Sequence, residues 1–320
     1  MERIKVAVVG IGKLGRHHAR IYSELKNVDL VGIVDIDKKK AQRLAKEYKT
    51  NQYYDYRELL GRIDAVNIVV PTEYHYNIAR DFLISGCNVF IEKPITPTLP
   101  EAEGLLKIAS QKNLILQVGH IERFNVAVQE AQKYIKSPQY IEAYRLGPFD
   151  PRTTGVGVVL DLMIHDIDIV LSLVKSPIKY IDAIGMPILT NHEDLATAHI
   201  NFENGCIANI TASRVTKDKL RKIRVFQNNI YISLDYWSQS LKVLQKKEGV
   251  KTIKSMRDIV IRRPSLKRGE PLKGELQDFI DCVQAGKKPL VPGEHGRDAL
   301  EVALEVLNKI RERRELSKTK

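Results

Sequence analysis

The stretch Ile4-Lys5-Val6-Ala7-Val8-Val9-Gly10-Ile11-Gly12-Lys13-Leu14-Gly15 decides the fold of this chain. Ile4 to Val9 is an apolar run suited to a strand buried on both faces. It leads into the pattern G-x-G-x-x-G, and then into Leu14, His18, Ile21, Tyr22 and Leu25, spaced as one face of a helix. In such a strand–turn–helix unit Gly10 permits the tight turn and Gly12 lets the backbone approach a pyrophosphate. Gly15 lets helix and strand pack closely, while the helix N-terminus faces the phosphates. Asp35 stands 20 residues after Gly15, where it closes a second apolar strand, Leu30 to Val34. A carboxylate there suits the ribose hydroxyls of NAD and repels the extra phosphate of NADP. Lys38, Lys39 and Lys40 work against that preference.

Outward from this unit the first 120 residues alternate strand and helix. Strands are expected at Ala65 to Val70, Asn88 to Ile91 and Leu114 to Val118. Helices are expected at Lys38 to Tyr48, Tyr74 to Ser85 and Leu99 to Lys112. This alternation predicts an α/β, doubly wound parallel sheet, a Rossmann dinucleotide-binding domain over residues 1–121. Past that point the pattern changes. Glu122 to Ile135 and Val158 to Val174 read as helices. Ala196 to Phe202 and its return strand alternate apolar and polar residues around the turn Asn204-Gly205. Asn228-Asn229 marks a second hairpin. Late helices are expected around Leu276, Phe279, Ile280 and Val283, and over 294–315. Residues 122–320 are therefore expected to form a C-terminal α/β domain on an open, mostly antiparallel sheet, serving substrate binding and oligomerisation. Its last helix is free to pack back on the first domain. One face of the sheet is left for a second subunit, as a homodimer or homotetramer.

The chain has 320 residues and a formal net charge of +12. No run of apolar residues is long enough to span a membrane. The N-terminus lacks the apolar core of a signal peptide, so a cytoplasmic location is expected. Cys87, Cys206 and Cys282 are far apart and odd in number, which argues against both a metal site and a disulfide framework. The positive charge is spread over helix faces and is densest between Lys251 and Lys273. Nucleic acid, an acidic small substrate and the Lys/Glu-rich surface of a heat-adapted protein are the three readings of this charge, and without zinc-finger or RNP-like patterns nucleic acid is the weaker.

Two further clusters carry chemistry. Glu92-Lys93-Pro94 ends a parallel strand, where ligands of such sheets bind, and Pro94 holds Lys93 in an extended backbone. Asp161, His165 and Asp168 follow at helical spacing in a segment otherwise rich in Val, Leu and Ile. Charged groups in so apolar a helix are costly unless they face a cleft or each other. Gly155 and Gly157 precede them and suit a close backbone approach to a ligand.

The Gly10-Gly12-Gly15 turn, Glu92-Lys93-Pro94 and the Gly155-x-Gly157-x-x-x-Asp161-x-x-x-His165 pattern together resemble the glucose-fructose oxidoreductase / inositol dehydrogenase (Gfo/Idh/MocA) family, over essentially the whole chain. The resemblance implies an NAD-dependent dehydrogenase, with NADP the lesser choice, acting on a CH–OH group. It implies Lys93, Asp161 and His165 as the catalytic set, and a cis Lys93–Pro94 bond that helps to aim the lysine. The expected cofactor contacts are Gly10, Ile11, Gly12, Lys13, Leu14, Gly15, Asp35, Pro71, Thr72, His75, Glu92 and Lys93. Gly119 to Asn125 and Arg145 to Pro148 further resemble a branch that oxidises the 3-hydroxyl of UDP-N-acetylglucosamine. That likeness places Arg123, Asn125, Arg145, Arg152 and Asp168 at the substrate, with the arginines ready for a diphosphate. An inositol or simple-sugar dehydrogenase and a non-catalytic NAD-binding sensor are the alternatives. An uncharged polyol has no need of the arginines, and a sensor has no need of the catalytic residues.

Overall fold

The computed structural model describes residues 3–151 and 154–318. The chain divides into two compact units. The first comprises the residues up to Ile121 together with Glu270–Leu300, and the second comprises Glu122–Gly269 and the chain from Glu301 onward.

The first unit is built on a six-stranded sheet in the order β3-β2-β1-β4-β5-β6, counted among the described residues. These strands are β1 (Ile4–Val9), β2 (Val28–Val34), β3 (Asn51–Tyr53), β4 (Ala65–Ile68), β5 (Asn88–Glu92) and β6 (Leu116–Gly119). Every pairing is parallel. This is the Rossmann order, with its switch point between β1 and β4. The helices α1 (Gly15–Glu24), α2 (Lys38–Tyr48), α3 (His75–Ile84) and α4 (Leu99–Gln111) alternate with the strands. The polar three-residue β3 falls outside the sequence expectation because only Tyr53 in it is even half-buried. A later helix, α7 (Pro271–Ala285), joins the same core. Leu272, Leu276, Phe279 and Ile280 pack with Val6, Ile21, Tyr22 and Phe90. Burial of this apolar face explains why Glu270–Leu300 clusters with the first unit.

The second unit carries an eight-stranded sheet, again among the described residues, in the order β14-β13-β12-β11-β7-β10-β9-β8. Its strands are β7 (Tyr140–Leu146), β8 (Ile178–Met186), β9 (Leu195–Phe202), β10 (Ile207–Ser213), β11 (Leu220–Gln227), β12 (Ile230–Asp235), β13 (Ser240–Lys246) and β14 (Ile259–Arg262). All pairs are antiparallel except β7 with β10. One face buries Ile141, Ala143, Ala198, Ile200, Ala208, Ile210, Ile223 and Val225. Helices α5 (Val126–Gln132) and α6 (Ile164–Val174) cover it. The other face carries half-buried polar pairs, such as Thr197 with Thr211 and Asn209 with Tyr140. The expected helix over Glu122 to Ile135 is shorter than predicted. A 3₁₀ turn, Ile121–Phe124, precedes it, and Asn125 starts α5 by accepting the N–H of Ala127. The basic stretch from Lys251 to Lys273 contains β14 and the start of α7. A last helix, α8 (Gly293–Lys318), follows. Among the described residues no helix is long and apolar enough to cross a membrane.

Candidate active site

The glycine-rich turn leaves β1 at the switch point of the first sheet. Gly10 takes a φ of 87°, and a Cβ there would stand 2.6 Å from the Val69 carbonyl oxygen. At Gly15 a Cβ would lie 1.9 Å from the carbonyl oxygen of Gly10, so no other residue fits the start of α1 without moving the turn. Gly12, by contrast, has open space where its Cβ would be. No side chain caps α1 and no acid lies in its first turn, so the positive end of its dipole stays open to an anion. The cradle therefore fits a dinucleotide's pyrophosphate. Asp35 holds the turn from the side. Its Oδ2 accepts the Ile11 N–H at 3.0 Å and lies 3.3 Å from Lys40 Nζ, while Oδ1 accepts the N–H of Asp37. Lys40 thus offsets the charge of Asp35, whereas Lys38 lies over the Tyr54 ring. Asp35→Asn keeps an acceptor for Ile11 and removes the charge. It is expected to raise the NADP+ to NAD+ ratio of kcat/KM by about 10–100-fold. An unchanged ratio would remove Asp35 from cofactor choice.

The Glu92-Lys93-Pro94 segment closes β5, with the Lys93–Pro94 peptide cis and Lys93 half-buried. Its neighbours are supports. His18 on α1 lies fully buried, 3.1 Å from the Glu92 carboxylate through Nε2. The angle is too poor for a hydrogen bond, so the contact is one of charge and dipole. Tyr22 donates to Asn67 Oδ1 at 2.6 Å, which turns the Asn67 amide toward His18 Nδ1 at 2.9 Å. That nitrogen then faces the donor end of the Asn67 amide. Burial pushes the Tyr22 hydroxyl well above its ordinary pKa, so it remains a donor. His75, expected at the cofactor, is 1% exposed and sets its two ring nitrogens against the carbonyls of Pro94 and Val70. Burial lowers its pKa, and it acts as a strut beneath the Lys93 loop. Pro71 is exposed and Thr72 half-buried in the 3₁₀ turn after β4, while Lys13 and Leu14 are exposed on the turn.

In the second unit the expected helix from Val158 to Val174 is interrupted. Val159–Met163 is a π-helical turn that contains Asp161, and α6 follows with His165 in its first turn. Such turns occur often at functional sites because the extra residue re-aims the side chains. Asp161 and His165 are half-exposed, whereas Asp166 and Asp168 are buried. The start of this helix is clamped. Val159 donates its N–H to Glu193 at 3.2 Å, and a Cβ at Gly157 would fall 1.8 Å from that carboxylate. Gly157 therefore admits a side chain of this protein rather than a ligand. Arg214 donates to the Val156 carbonyl and to Asp194. Burial alone would raise the Asp194 carboxyl, but the N–H groups of Ile188, Leu189 and Thr190, with Arg214, hold it well below the usual carboxylate range.

The residues expected at the substrate occupy a buried network. Arg123 donates to Asp168 at 2.8 Å, and both are under a tenth exposed. Arg145 donates from Nε to Asp166 at 2.6 Å and from Nη1 to Glu122 at 3.1 Å, and lies over the ring of Tyr236. Asn125 is 1% exposed and donates to Glu122 and to the Tyr236 carbonyl. The charged groups expected at the substrate are thus paired, as buried charges must be. Arg152 lies outside the described residues. Glu122, Asp166, Glu193, Tyr236, His18 and Asn67 escaped the sequence reading as site residues. Asp166 alone had a visible signal, as an acid amid Ile164, Ile167 and Ile169.

Residues 4–120 match the GFO/IDH/MocA oxidoreductase family, described as having an NAD-binding Rossmann fold. Residues 134–232 match the C-terminal domain described for the same family. The chain is 34% identical over 308 residues to UDP-N-acetylglucosamine 3-dehydrogenase of Acidithiobacillus ferrooxidans, covering 96% of this chain and 97% of that one. It is 28% identical to the scyllo-inositol 2-dehydrogenase (NAD(+)) of Bacillus subtilis, over 97% and 94% of the two chains. A solved structure of the Acidithiobacillus ferrooxidans enzyme superposes with a TM-score of 0.90 at 32% identity, covering 97% and 98%.

Proposed function

The chain belongs to the Gfo/Idh/MocA oxidoreductase family, and from that premise we propose that it oxidises a secondary hydroxyl of a nucleotide-sugar to a ketone, the 3-hydroxyl of UDP-N-acetylglucosamine before others. The observation that carries this reading is the end-to-end likeness to an enzyme of that activity. Three residues of this chain supply the roles the reaction needs. His165 takes the hydroxyl proton as general base, and Asp161 orients its imidazole. Lys93 donates a hydrogen bond to the same oxygen and stabilises the charge that develops there. The turn from Gly10 to Gly15, together with Asp35, holds the NAD, which when bound supplies the hydride acceptor.

The test is NADH formation by the purified protein with NAD+ and a panel of UDP-N-acetylglucosamine, UDP-glucose, free N-acetylglucosamine, myo-inositol and glucose. A partner aminotransferase is added to draw off the ketone. Turnover confined to the UDP-amino sugar is the expected result. Turnover of myo-inositol in its place keeps the three roles and discards the nucleotide-sugar.

A further inference from the structure

Arg221 is an arginine that the fold leaves unspent. It stands on β11 directly opposite Arg145 on β7, and the buried residues at the same alternation, Ile223 and Val225, show that its side chain shares the helix-covered face. Two guanidinium groups at paired strand positions repel one another. Two of the acids near it, Asp166 and Glu122, are already engaged. Both oxygens of Asp166 accept from Arg145, one oxygen of Glu122 accepts from Arg145, and the other accepts from Asn125. The Arg221 side chain makes no hydrogen bond and no ion pair among the described residues. Burial and the charge of Arg145 lower its pKa, partly offset by Glu122, Asp166 and Asp161. Arg145, opposite Arg221, is paired with Asp166, the residue that follows His165 on α6. At the same strand end Tyr236 donates its N–H to the Arg221 carbonyl, and the neighbouring Lys219 amine lies 5.6 Å from the ring of Trp237, which is 68% exposed. A half-buried cation beside another cation, with Asp166 and Glu122 already engaged, is a cost that a bound anion removes.

We propose that Arg221, with Lys219 at its flank, is the subsite for the diphosphate of the nucleotide-sugar. A planar guanidinium with free donors matches phosphate oxygens, and its fixed place on a strand limits the entropy lost on binding. This inference rests on the nucleotide-sugar reading above, and the two fail separately.

The experiment is isothermal titration of the full chain, saturated with NAD+, with UDP and with uridine, together with thermal unfolding. Wild type is expected to bind UDP. Arg221→Ala is expected to weaken UDP about 10–100-fold, the range for a hydrogen bond to a charged group, and to leave uridine unchanged. Arg221→Lys is expected to recover part of the loss. The thermal midpoint of Arg221→Ala should stay level or rise, because an uncompensated buried charge has gone; a structural role predicts a fall. If UDP binds wild type and Arg221→Ala equally, the subsite is overturned and the nucleotide-sugar reading stands. If wild type binds no UDP, both are overturned.

Discussion

His165→Ala and Lys93→Ala are each expected to lower kcat by about 10²–10⁴-fold, the usual contribution of a positioned acid or base. The thermal midpoint should remain at the wild-type value in both variants, and NAD+ affinity should remain so in His165→Ala. The expectation follows from where the two residues stand. His165 is half-exposed in the first turn of α6, directly after the π turn that carries Asp161, while the neighbouring acids Asp166 and Asp168 are buried in ion pairs. Lys93 leaves β5 at a half-buried position, backed by the Glu92 and His18 contact and by the His75 strut. Neither side chain closes a core, so neither loss should unfold its unit. If both act on one hydroxyl oxygen, the double variant will be little slower than either single variant, because residues that act as a unit are not additive. Steady-state kinetics on the three variants, with NAD+ binding as the control, decides the matter. Full activity in either single variant removes the scheme.

The fold of the first unit was legible because its signals are local. An apolar strand, a glycine turn and an amphipathic helix lie within Ile4 to Leu25, and Asp35 confirms the second strand. The handedness of parallel crossovers then limits the strand orders such a sheet can take. The second sheet was legible only in part. The two hairpins have turn signals at Asn204-Gly205 and Asn228-Asn229, where Gly205 and Asn229 take positive φ. The central strand β7 has no hairpin partner in sequence. It pairs with β10 and β11, each more than 60 residues away, so nothing near it announces it. Nor does a local pattern announce that α7 belongs to the first unit's core.

Chemistry was legible as residue type, and less so as role. The unusual residues stood out because acids, a histidine and arginines are rare in apolar segments, but rarity does not say whether the partner is a ligand or another residue. Gly157 looked like a place for a ligand and accommodates Glu193. Arg145 looked like a phosphate contact and is bound on three sides by Asp166, Glu122 and Tyr236. Arg221, two residues from an ordinary surface lysine, carried no sequence signal, since its lack of a partner is a property of strand register.

The position of Arg145 has the largest consequence for stability. Arg145→Ala is expected to destabilise the second unit by about 3–5 kcal/mol, the range for removing one partner of a buried ion pair. The guanidinium is 3% exposed, and Asp166 beneath it is fully buried. Burial is the main force on both groups. It works against the charge of Arg145, which Asp166 and Glu122 outweigh so that the guanidinium is held charged, and it pushes the Asp166 carboxyl up against the pull of Arg145. Without the arginine, Asp166 and Glu122 face each other across a dry site, and Tyr236 loses the cation over its ring. A drop of about 2–4 °C in thermal midpoint for each kcal/mol is usual in units of this size, so the variant should unfold about 10 °C early. The compensated variant Arg145→Met with Asp166→Leu removes both charges and replaces them with apolar volume; it should regain much of the loss, as apolar replacements of buried pairs commonly do. Calorimetry of the single and double variants, set beside the Michaelis constant for UDP-N-acetylglucosamine, separates the two roles open to this residue. A wild-type midpoint in Arg145→Ala, with a raised Michaelis constant, would return the guanidinium to the substrate and take Asp166 out of the account of the fold.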